Sequence, residues 1–147
     1  MSPVTRARWV TFDCYGTLVD WKAGFSLMVS RVAGDRADDV VRGYDACERA
    51  AEGGRGHRPY KTVVVDGVRE AAAAANVPIV ESDLLRLPAL WRLLRPFDDV
   101  ESMLSALRRR GYRLAVLANC DDDLFEVTHR TFRVPFDLFV TSERVRG

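Results

Sequence analysis

Two short apolar runs, each ending in a polar residue and a turn, constrain the fold of this chain more than any other feature. The first run lies at residues 9–12 and ends at Asp13, and the second occupies residues 112–119 and closes with Asn119. Both runs are rich in residues that favour strands, and their apolar character predicts that both strands are buried. A third strand is predicted from a similar run at residues 136–143.

The segments between these runs carry helical patterns. Residues 19–97 show apolar residues at near-helical spacing in several stretches, and further helices are predicted before and after the second strand. Strands that alternate with helices form parallel sheets with helices on their faces. We therefore expect an α/β fold in which a parallel sheet, built from residues 1–18 and 98–147, is interrupted by a helical insertion at residues 19–97.

Several residues mark the ends of the predicted helices. Pro88 predicts a bend or two short helices within residues 81–96. Asp98 or Asp99 is expected to cap the helix before the second strand. The acidic run at residues 121–123 begins the next helix, where negative side chains complement the helix dipole, and a metal cluster is the less favoured interpretation.

Asp13 is the first candidate for a functional site. In open α/β sheets, ligands bind at the carboxyl ends of the strands, where the loops line a crevice. Asp13 lies at such an end, and Tyr15, Gly16 and Thr17 follow it as a turn. Asn119 ends the second strand in the same way, so we expect both side chains near one crevice.

Composition and charge narrow the classes of function. The 147 residues are 48% hydrophobic, which is enough for a core in one domain of ordinary size. The 22 Lys and Arg residues nearly balance 21 Asp and Glu residues, so the net charge of +1 argues against nucleic acid or an anionic membrane as a partner. No apolar stretch approaches the ~20 residues that span a bilayer, and no signal peptide is predicted. Cys14, Cys47 and Cys120 lack metal-ligand spacing and suit a reducing compartment, so we expect a cytoplasmic protein.

Three longer motifs follow one another along the chain. They are "FDCYGTLVDW" from residue 12, "LRPFDDVESMLSALRRRGYRLAVLAN" from residue 94, and "FDLFVTSERV" from residue 136. Together they resemble the haloacid dehalogenase superfamily of hydrolases, and within it the type II 2-haloacid dehalogenases. The resemblance spans the chain and implies a Rossmann-like core with an inserted helical cap domain, the core being incomplete at its C-terminus.

The resemblance also implies a mechanism and a small-molecule substrate. Asp13 would be a nucleophile that forms a covalent ester with a small 2-haloacid, and water would then hydrolyse that ester. Cys14 is the rival nucleophile in the same loop, and a structural aspartate that fixes the turn is the remaining alternative for Asp13.

Tyr15 bears on the type of reaction. Phosphatases of this superfamily carry a second aspartate two residues after the nucleophile, which protonates the leaving alkoxide and later activates water. Tyrosine there suits the loss of halide, a weak base that leaves without a proton. We therefore expect no metal or other cofactor, with magnesium needed only if the chain is instead a phosphatase with an altered acid. Cys14 and Tyr15 would line the substrate site, with packing alone as the alternative role of Tyr15.

Four further residues match positions of the family's substrate site. Asn119 matches an asparagine beside the departing halide, where an amide N–H stabilises negative charge. Thr17 matches a threonine of the nucleophile loop, although a local turn bond explains it equally well. Ala118 stands where the family commonly has a serine that binds the substrate carboxylate. Arg42 lies near the position of a cap arginine for the halide, with a solvent-exposed surface position as the alternative.

The family's Lys-Pro segment and its later acidic loop have no counterpart in the sequence. The only lysines, Lys22 and Lys61, fall within the predicted insertion and match no family motif. The sequence thus resembles the first two thirds of a family member, and we expect a chain of this length to be inactive. A truncated chain that acts as a binding or assembly module is therefore a further alternative. An unpaired edge on the first strand would favour a homo-oligomer or a domain-swapped dimer.

Overall fold

The computed structural model describes residues 7–52 and 58–145. Its sheet has three strands: β1 (Arg8–Asp13), β2 (Tyr112–Ala118) and β3 (Leu138–Thr141). The helices are α1 (Trp21–Ala33), α2 (Ala37–Glu52), α3 (Tyr60–Ala74), α4 (Glu81–Leu84), α5 (Val100–Arg109) and α6 (Asp122–His129), with 3₁₀ helices at Gly34–Arg36 and Leu87–Leu93. Residues 1–6 and 146–147 of the predicted core lie outside the described residues. None of the described helices is long and apolar enough to cross a membrane.

The sheet is entirely parallel, with β2 between β1 and β3. Asp13 is in register with Leu117, and Ala118 is in register with Thr141. The carboxyl ends of the three strands therefore meet at one end of the sheet, where ligands bind in folds of this class. This arrangement confirms the predicted α/β class.

β1 is more exposed than its sequence predicts. Trp9 is 44% exposed, and Val10 and Phe12 are only half-buried. Within the described residues β1 pairs along one edge only, whereas β2 is paired on both sides and buries Leu114 and Val116. The prediction of a buried first strand is wrong, because an apolar run does not reveal how many neighbours its strand has.

The described residues between β1 and α5 are mostly helical, as the sequence pattern predicts. Pro88 stands in the 3₁₀ helix that follows α4, which confirms two short helical segments around this proline. α2 packs against α3, and Gly67 permits the close approach. A Cβ atom at Gly67 would lie 2.8 Å from Cε2 of Tyr44, whose side chain is almost completely buried. A side chain at position 67 would therefore collide with the Tyr44 ring, which packs against the backbone of α3.

The two ends of the helical insertion lie beside each other. Val19 forms an antiparallel bridge with Pro96. The backbone N–H of Asp20 donates to the carbonyl oxygen of Arg95 at 2.9 Å. The chain therefore leaves the sheet and returns to it at one place.

α5 begins where the sequence predicts, but without the predicted side-chain cap. Asp99 occupies the N-cap position, yet its side chain makes no capping hydrogen bond to the helix. The hydroxyl of Ser102 instead donates to the carbonyl oxygen of Asp99 at 2.9 Å. The first turn of α5 is therefore stabilised from within the helix.

Candidate active site

A tight turn follows β1 and leaves Asp13 at the tip of the strand. Gly16 has a φ of 89°, in the left-handed region that suits glycine. The carbonyl oxygen of Cys14 accepts hydrogen bonds from three successive backbone N–H groups, which belong to residues 17–19. The turn is therefore held by its own backbone hydrogen bonds as well as by the side chains that meet at the strand tip.

Asp13 lines a cavity of about 240 Å³ between the sheet and the helical insertion. The hydroxyl of Thr17 donates to Oδ2 of Asp13 at 2.8 Å, which holds one carboxylate oxygen in place. The described residues that line the cavity are Asp13, Tyr15, Trp21, Glu48, Tyr60 and Asn119. Of the residues that the resemblance assigns to the site, Asp13, Tyr15 and Asn119 line this cavity, and Thr17 contacts Asp13 without being part of the lining.

Tyr15 lines the cavity, while its hydroxyl belongs to an interior polar cluster. The indole N–H of Trp91 donates to the Tyr15 oxygen at 3.0 Å, and the hydroxyls of Tyr15 and Thr128 are hydrogen-bonded at 2.9 Å. Burial raises the pKa of Tyr15 well above its usual range, and the neighbouring Cys120 and Cys14 add to this effect. The phenol is therefore neutral near pH 7, and its hydroxyl is engaged within the protein.

Cys14 and Cys120 are both completely buried. Burial raises the pKa of Cys14 above the usual range of a thiol, and Cys120 and Asp13 add smaller contributions. Burial likewise raises the pKa of Cys120 to about 12. Because the thiolate is the reactive form of cysteine, Cys14 lacks the environment of a nucleophile. It is also not among the described residues that line the cavity.

The helical insertion supplies a carboxylate that sequence analysis did not single out. Glu48 lies on α2, and its Oε1 accepts hydrogen bonds from the hydroxyls of Tyr60 at 2.5 Å and Tyr44 at 3.1 Å. Tyr44 precedes Glu48 by about one helical turn, a spacing that the sequence displays. Tyr60 belongs to α3 and reaches Glu48 only because the two helices pack together. No local pattern therefore marks these three residues as a cluster beside Asp13.

Asp121 ties the helical insertion to the sheet. It is 1% exposed, and its carboxylate oxygens accept the backbone N–H groups of Tyr60 at 2.8 Å and Lys61 at 2.9 Å. Pro59, the N-cap residue of α3, makes no side-chain capping bond, so Asp121 satisfies donors at the start of that helix. Sequence analysis placed Asp121 in the first turn of α6, whereas the structure shows that it precedes α6 and caps α3 instead.

The other two aspartates of the acidic run have separate partners. Asp122 pairs with Arg144 at 2.9 Å, and Asp123 pairs with Lys61 at 2.6 Å. Within residues 7–52 and 58–145, no group of three or more His, Cys, Asp or Glu side chains could hold a metal ion. Each of the three aspartates of the run therefore has a partner within the protein.

Arg42 and Ala118 lie outside the lining of the Asp13 cavity. The Arg42 side chain is 72% exposed and forms an ion pair with Asp39 on the surface of α2. Ala118 is buried at the end of β2 and borders a neighbouring depression that Asp13, Asn119 and residues of β3 also line. The structure therefore leaves Arg42 on the surface and places beside Asn119 a methyl group that cannot bind a substrate carboxylate.

The fold is similar to those of solved dehalogenase structures. An L-2-haloacid dehalogenase, RSc1362, aligns with a TM-score of 0.76 and 24% sequence identity, over 95% of this chain and 66% of that one. The L-2-haloacid dehalogenase of Xanthobacter autotrophicus with chloropropionic acid covalently bound aligns with a TM-score of 0.74 and 18% identity, over 93% and 57% of the two chains. A magnesium-bound protein from Bacillus subtilis, described as a HAD-hydrolase, aligns with a TM-score of 0.73 and 18% identity, over 94% and 66%.

These likenesses establish the fold. They confirm at that level the resemblance drawn from the three sequence motifs. No protein-family model and no curated protein matches the sequence. The chain spans between 57% and 66% of the lengths of the three solved proteins.

Proposed function

We propose that this chain belongs to a dehalogenase-like hydrolase that cleaves the carbon–halogen bond of small 2-haloacids and their close derivatives. The observation that carries the proposal is the position of Asp13. Its carboxylate lies at a parallel strand tip, is held through one oxygen by Thr17, and lines a cavity with Asn119. A carboxylate so placed can attack an electrophilic carbon that enters the cavity.

The chemistry assigned to Asp13 has two steps. First, Oδ1 of Asp13 attacks C2 of the substrate, so that a C–O bond forms while the carbon–halogen bond breaks and its electron pair leaves with the halide. Water then adds to the carbonyl carbon of the resulting ester. Cleavage of that carbon's bond to the ester oxygen releases the 2-hydroxy product, restores the Asp13 carboxylate and frees one proton. The chloropropionic acid bound covalently to the Xanthobacter enzyme supports such an ester in a protein of this fold.

Thr17 and Asn119 are assigned supporting roles. Thr17 fixes Oδ2 of Asp13, which orients the other carboxylate oxygen for attack. The side-chain amide of Asn119 can donate to the departing halide or to the oxyanion formed when water attacks the ester. Neither role requires a general acid, because halide leaves without a proton.

Tyr15 favours this reaction over phosphate ester cleavage. A phosphatase of this type needs a proton donor for its leaving alkoxide, and the buried Tyr15 hydroxyl is engaged by Trp91 and Thr128. A phosphatase with an altered acid is the rival reaction, and magnesium would then assist it.

Single-turnover chemistry in ¹⁸O water tests the proposal. With enzyme in excess over 2-chloropropionate, we expect the first product to carry unlabelled oxygen from Asp13, while the peptide that contains Asp13 gains ¹⁸O. Direct attack by water would place ¹⁸O in the product and overturn the covalent mechanism. Parallel assays with phosphate esters, with and without magnesium, would show the rival reaction as phosphate release.

The assembly-module alternative has one structural observation in its favour. Within the described residues, β1 has one unpaired edge and carries the partly exposed Trp9. An edge of this kind can pair with a second chain. Light scattering on intact protein that shows a defined oligomer, together with no turnover of any halogenated substrate, would favour assembly over hydrolysis.

A further inference from the structure

The Asp13 cavity is lined by a second carboxylate that the proposed reaction does not use. Two of its described lining residues, Asp13 and Glu48, carry carboxylates. The described lining includes no arginine or lysine. Arg42, which shares α2 with Glu48, is paired with Asp39 on the surface. The described part of the cavity is therefore negative before any substrate enters.

Resting on the proposed function, we infer that Glu48 is a specificity-determining residue. It disfavours a substrate carboxylate and favours uncharged 2-halo carbonyl compounds, above all 2-haloamides. The reacting bond is the same carbon–halogen bond in both classes, so Asp13 performs the same chemistry on either. Glu48 discriminates between the two classes by its interaction with the carboxylate or carboxamide group next to the reacting carbon.

The contacts of Glu48 hold its carboxylate in a fixed position. Its Oε1 accepts hydrogen bonds from the hydroxyls of Tyr44 and Tyr60, and the Tyr44 ring packs against the backbone of α3 at Gly67. Each phenol has a single O–H donor, which is thereby committed to Glu48. These two hydroxyls cannot at the same time donate to a substrate carboxylate.

A carboxamide suits this cavity better than a carboxylate does. Its N–H groups can donate to the Glu48 carboxylate, whereas a carboxylate brings a like charge into a cavity of about 240 Å³ that already holds two. Ala118 offers no hydroxyl that would offset this repulsion. At short range a like charge costs enough to change affinity by about tenfold or more.

The test compares binding of 2-chloropropionate and 2-chloropropionamide to the full chain. Trp21 lines the cavity, so a change in tryptophan emission that is lost in Trp21→Phe reports occupancy by either ligand. We expect the wild-type chain to bind the amide about tenfold more tightly than the acid. Glu48→Gln should improve affinity for the acid by a similar factor and should weaken affinity for the amide, because a charged hydrogen-bond acceptor is replaced by a neutral one.

Asp45→Asn is the matched control. Asp45 lies on α2, is exposed, and loses the same unit of charge in this variant. It should leave the preference for the amide unchanged, and circular dichroism would confirm that both variants remain folded. The inference would be overturned if the wild-type chain bound the two ligands equally or bound the acid more tightly. It would also be overturned if the wild-type chain bound neither ligand. So would equal effects of Glu48→Gln and Asp45→Asn.

A further variant separates this inference from the proposed reaction. Asp13→Asn removes the nucleophile but keeps Glu48, so a preference for the amide should persist without turnover. If the preference for the amide persists while the ¹⁸O experiment shows direct attack by water, only the covalent mechanism is overturned. Halide release that passes through Asp13 but does not discriminate between acid and amide would overturn the role of Glu48 alone.

Discussion

The two walls of the Asp13 cavity are built in different ways. The core wall consists of Asp13, Tyr15 and Asn119, which lie at or just after the ends of neighbouring parallel strands. The insertion wall, which consists of Trp21, Glu48 and Tyr60, comes from three different helices. Strand register fixes the core wall, because Asp13 pairs with Leu117 just before Asn119. Packing between helices fixes the insertion wall.

Under the proposed function, this difference would separate the residues that carry the reaction from those that select the substrate. The core wall carries the group that we assign to bond formation, and the insertion wall carries the groups that would contact the rest of the substrate. Asp121 joins the two, since it directly follows Cys120 beside the core wall and caps the helix that begins with Tyr60. Because the two walls come from different elements, side-chain changes in one wall should leave the function of the other intact.

The largest expected effect breaks the core wall. Asp13→Asn should lower the rate of halide release by about 10³-fold or more, because an amide cannot act as the nucleophile. Glu48→Gln should leave the rate within about tenfold of wild type while it changes the ratio of acid to amide turnover. Halide release measured with a chloride electrode compares both variants. If Asp13→Asn and Glu48→Gln lose rate to a similar extent, the two walls do not separate the reaction from substrate selection.

The next effect concerns the link between the walls. Asp121→Ala leaves two backbone N–H groups at the start of α3 without their buried acceptor, so the free energy of unfolding should fall by about 2–4 kcal/mol. Asp123→Ala removes an exposed ion pair with Lys61 and should cost less than about 1 kcal/mol. Urea unfolding followed by circular dichroism measures both. Equal losses would mean that the cap on α3 contributes nothing beyond surface charge.

A smaller effect tests whether Tyr15 serves packing or proton transfer. Tyr15→Phe removes the acceptor of the Trp91 indole N–H and should lower the free energy of unfolding by about 1–2 kcal/mol. Because burial raises the pKa of Tyr15, the phenol stays neutral across the working range, and the pH profile of halide release should keep its shape. The loss of a limb of that profile in Tyr15→Phe would instead assign the hydroxyl to proton transfer.

The smallest effect contrasts one glycine near each wall. Gly16→Ala should lower the free energy of unfolding by about 1 kcal/mol, because a side chain strains the left-handed backbone of the turn. Gly43→Ala, within α2, should raise it by about 0.5–1 kcal/mol, since alanine favours helix. A Cβ atom there would meet Ala71 at an ordinary 3.7 Å. Thermal unfolding of both variants checks the two signs, and a loss of stability at Gly43 would show that α2 and α3 are already packed to their limit.

The core wall could be predicted from sequence because its residues are positioned by local sequence patterns. An apolar run, a polar residue and a turn are enough to place Asp13 and Asn119 at strand ends, and the rule for parallel sheets brings those ends together. The exposure of Trp9 could not be predicted in the same way. Burial of a strand depends on what lies beside it, and the apolar run alone carries no information on its neighbours.

The insertion wall escaped prediction because its contacts are not local. Nothing near Glu48 indicates that Tyr60 will donate to it, since that bond exists only once α2 and α3 have packed. Asp121 shows the same limit. Its position in an acidic run at a helix start favoured an interaction with its own helix, and the unmet donors that it satisfies lie on α3, beyond a proline that cannot cap them.

The bridge between Val19 and Pro96 has a consequence for the order in which the chain folds. β1 and β2 pair although the whole insertion separates them in sequence, and closing so long a loop costs entropy before any strand contact forms. Once the helices have packed, the two ends of the insertion are already adjacent, and β1 and β2 can pair with little further loss of entropy. We therefore expect the insertion to nucleate folding, with amide protection in α2 and α3 appearing before protection in β1 during pulse-labelled hydrogen exchange.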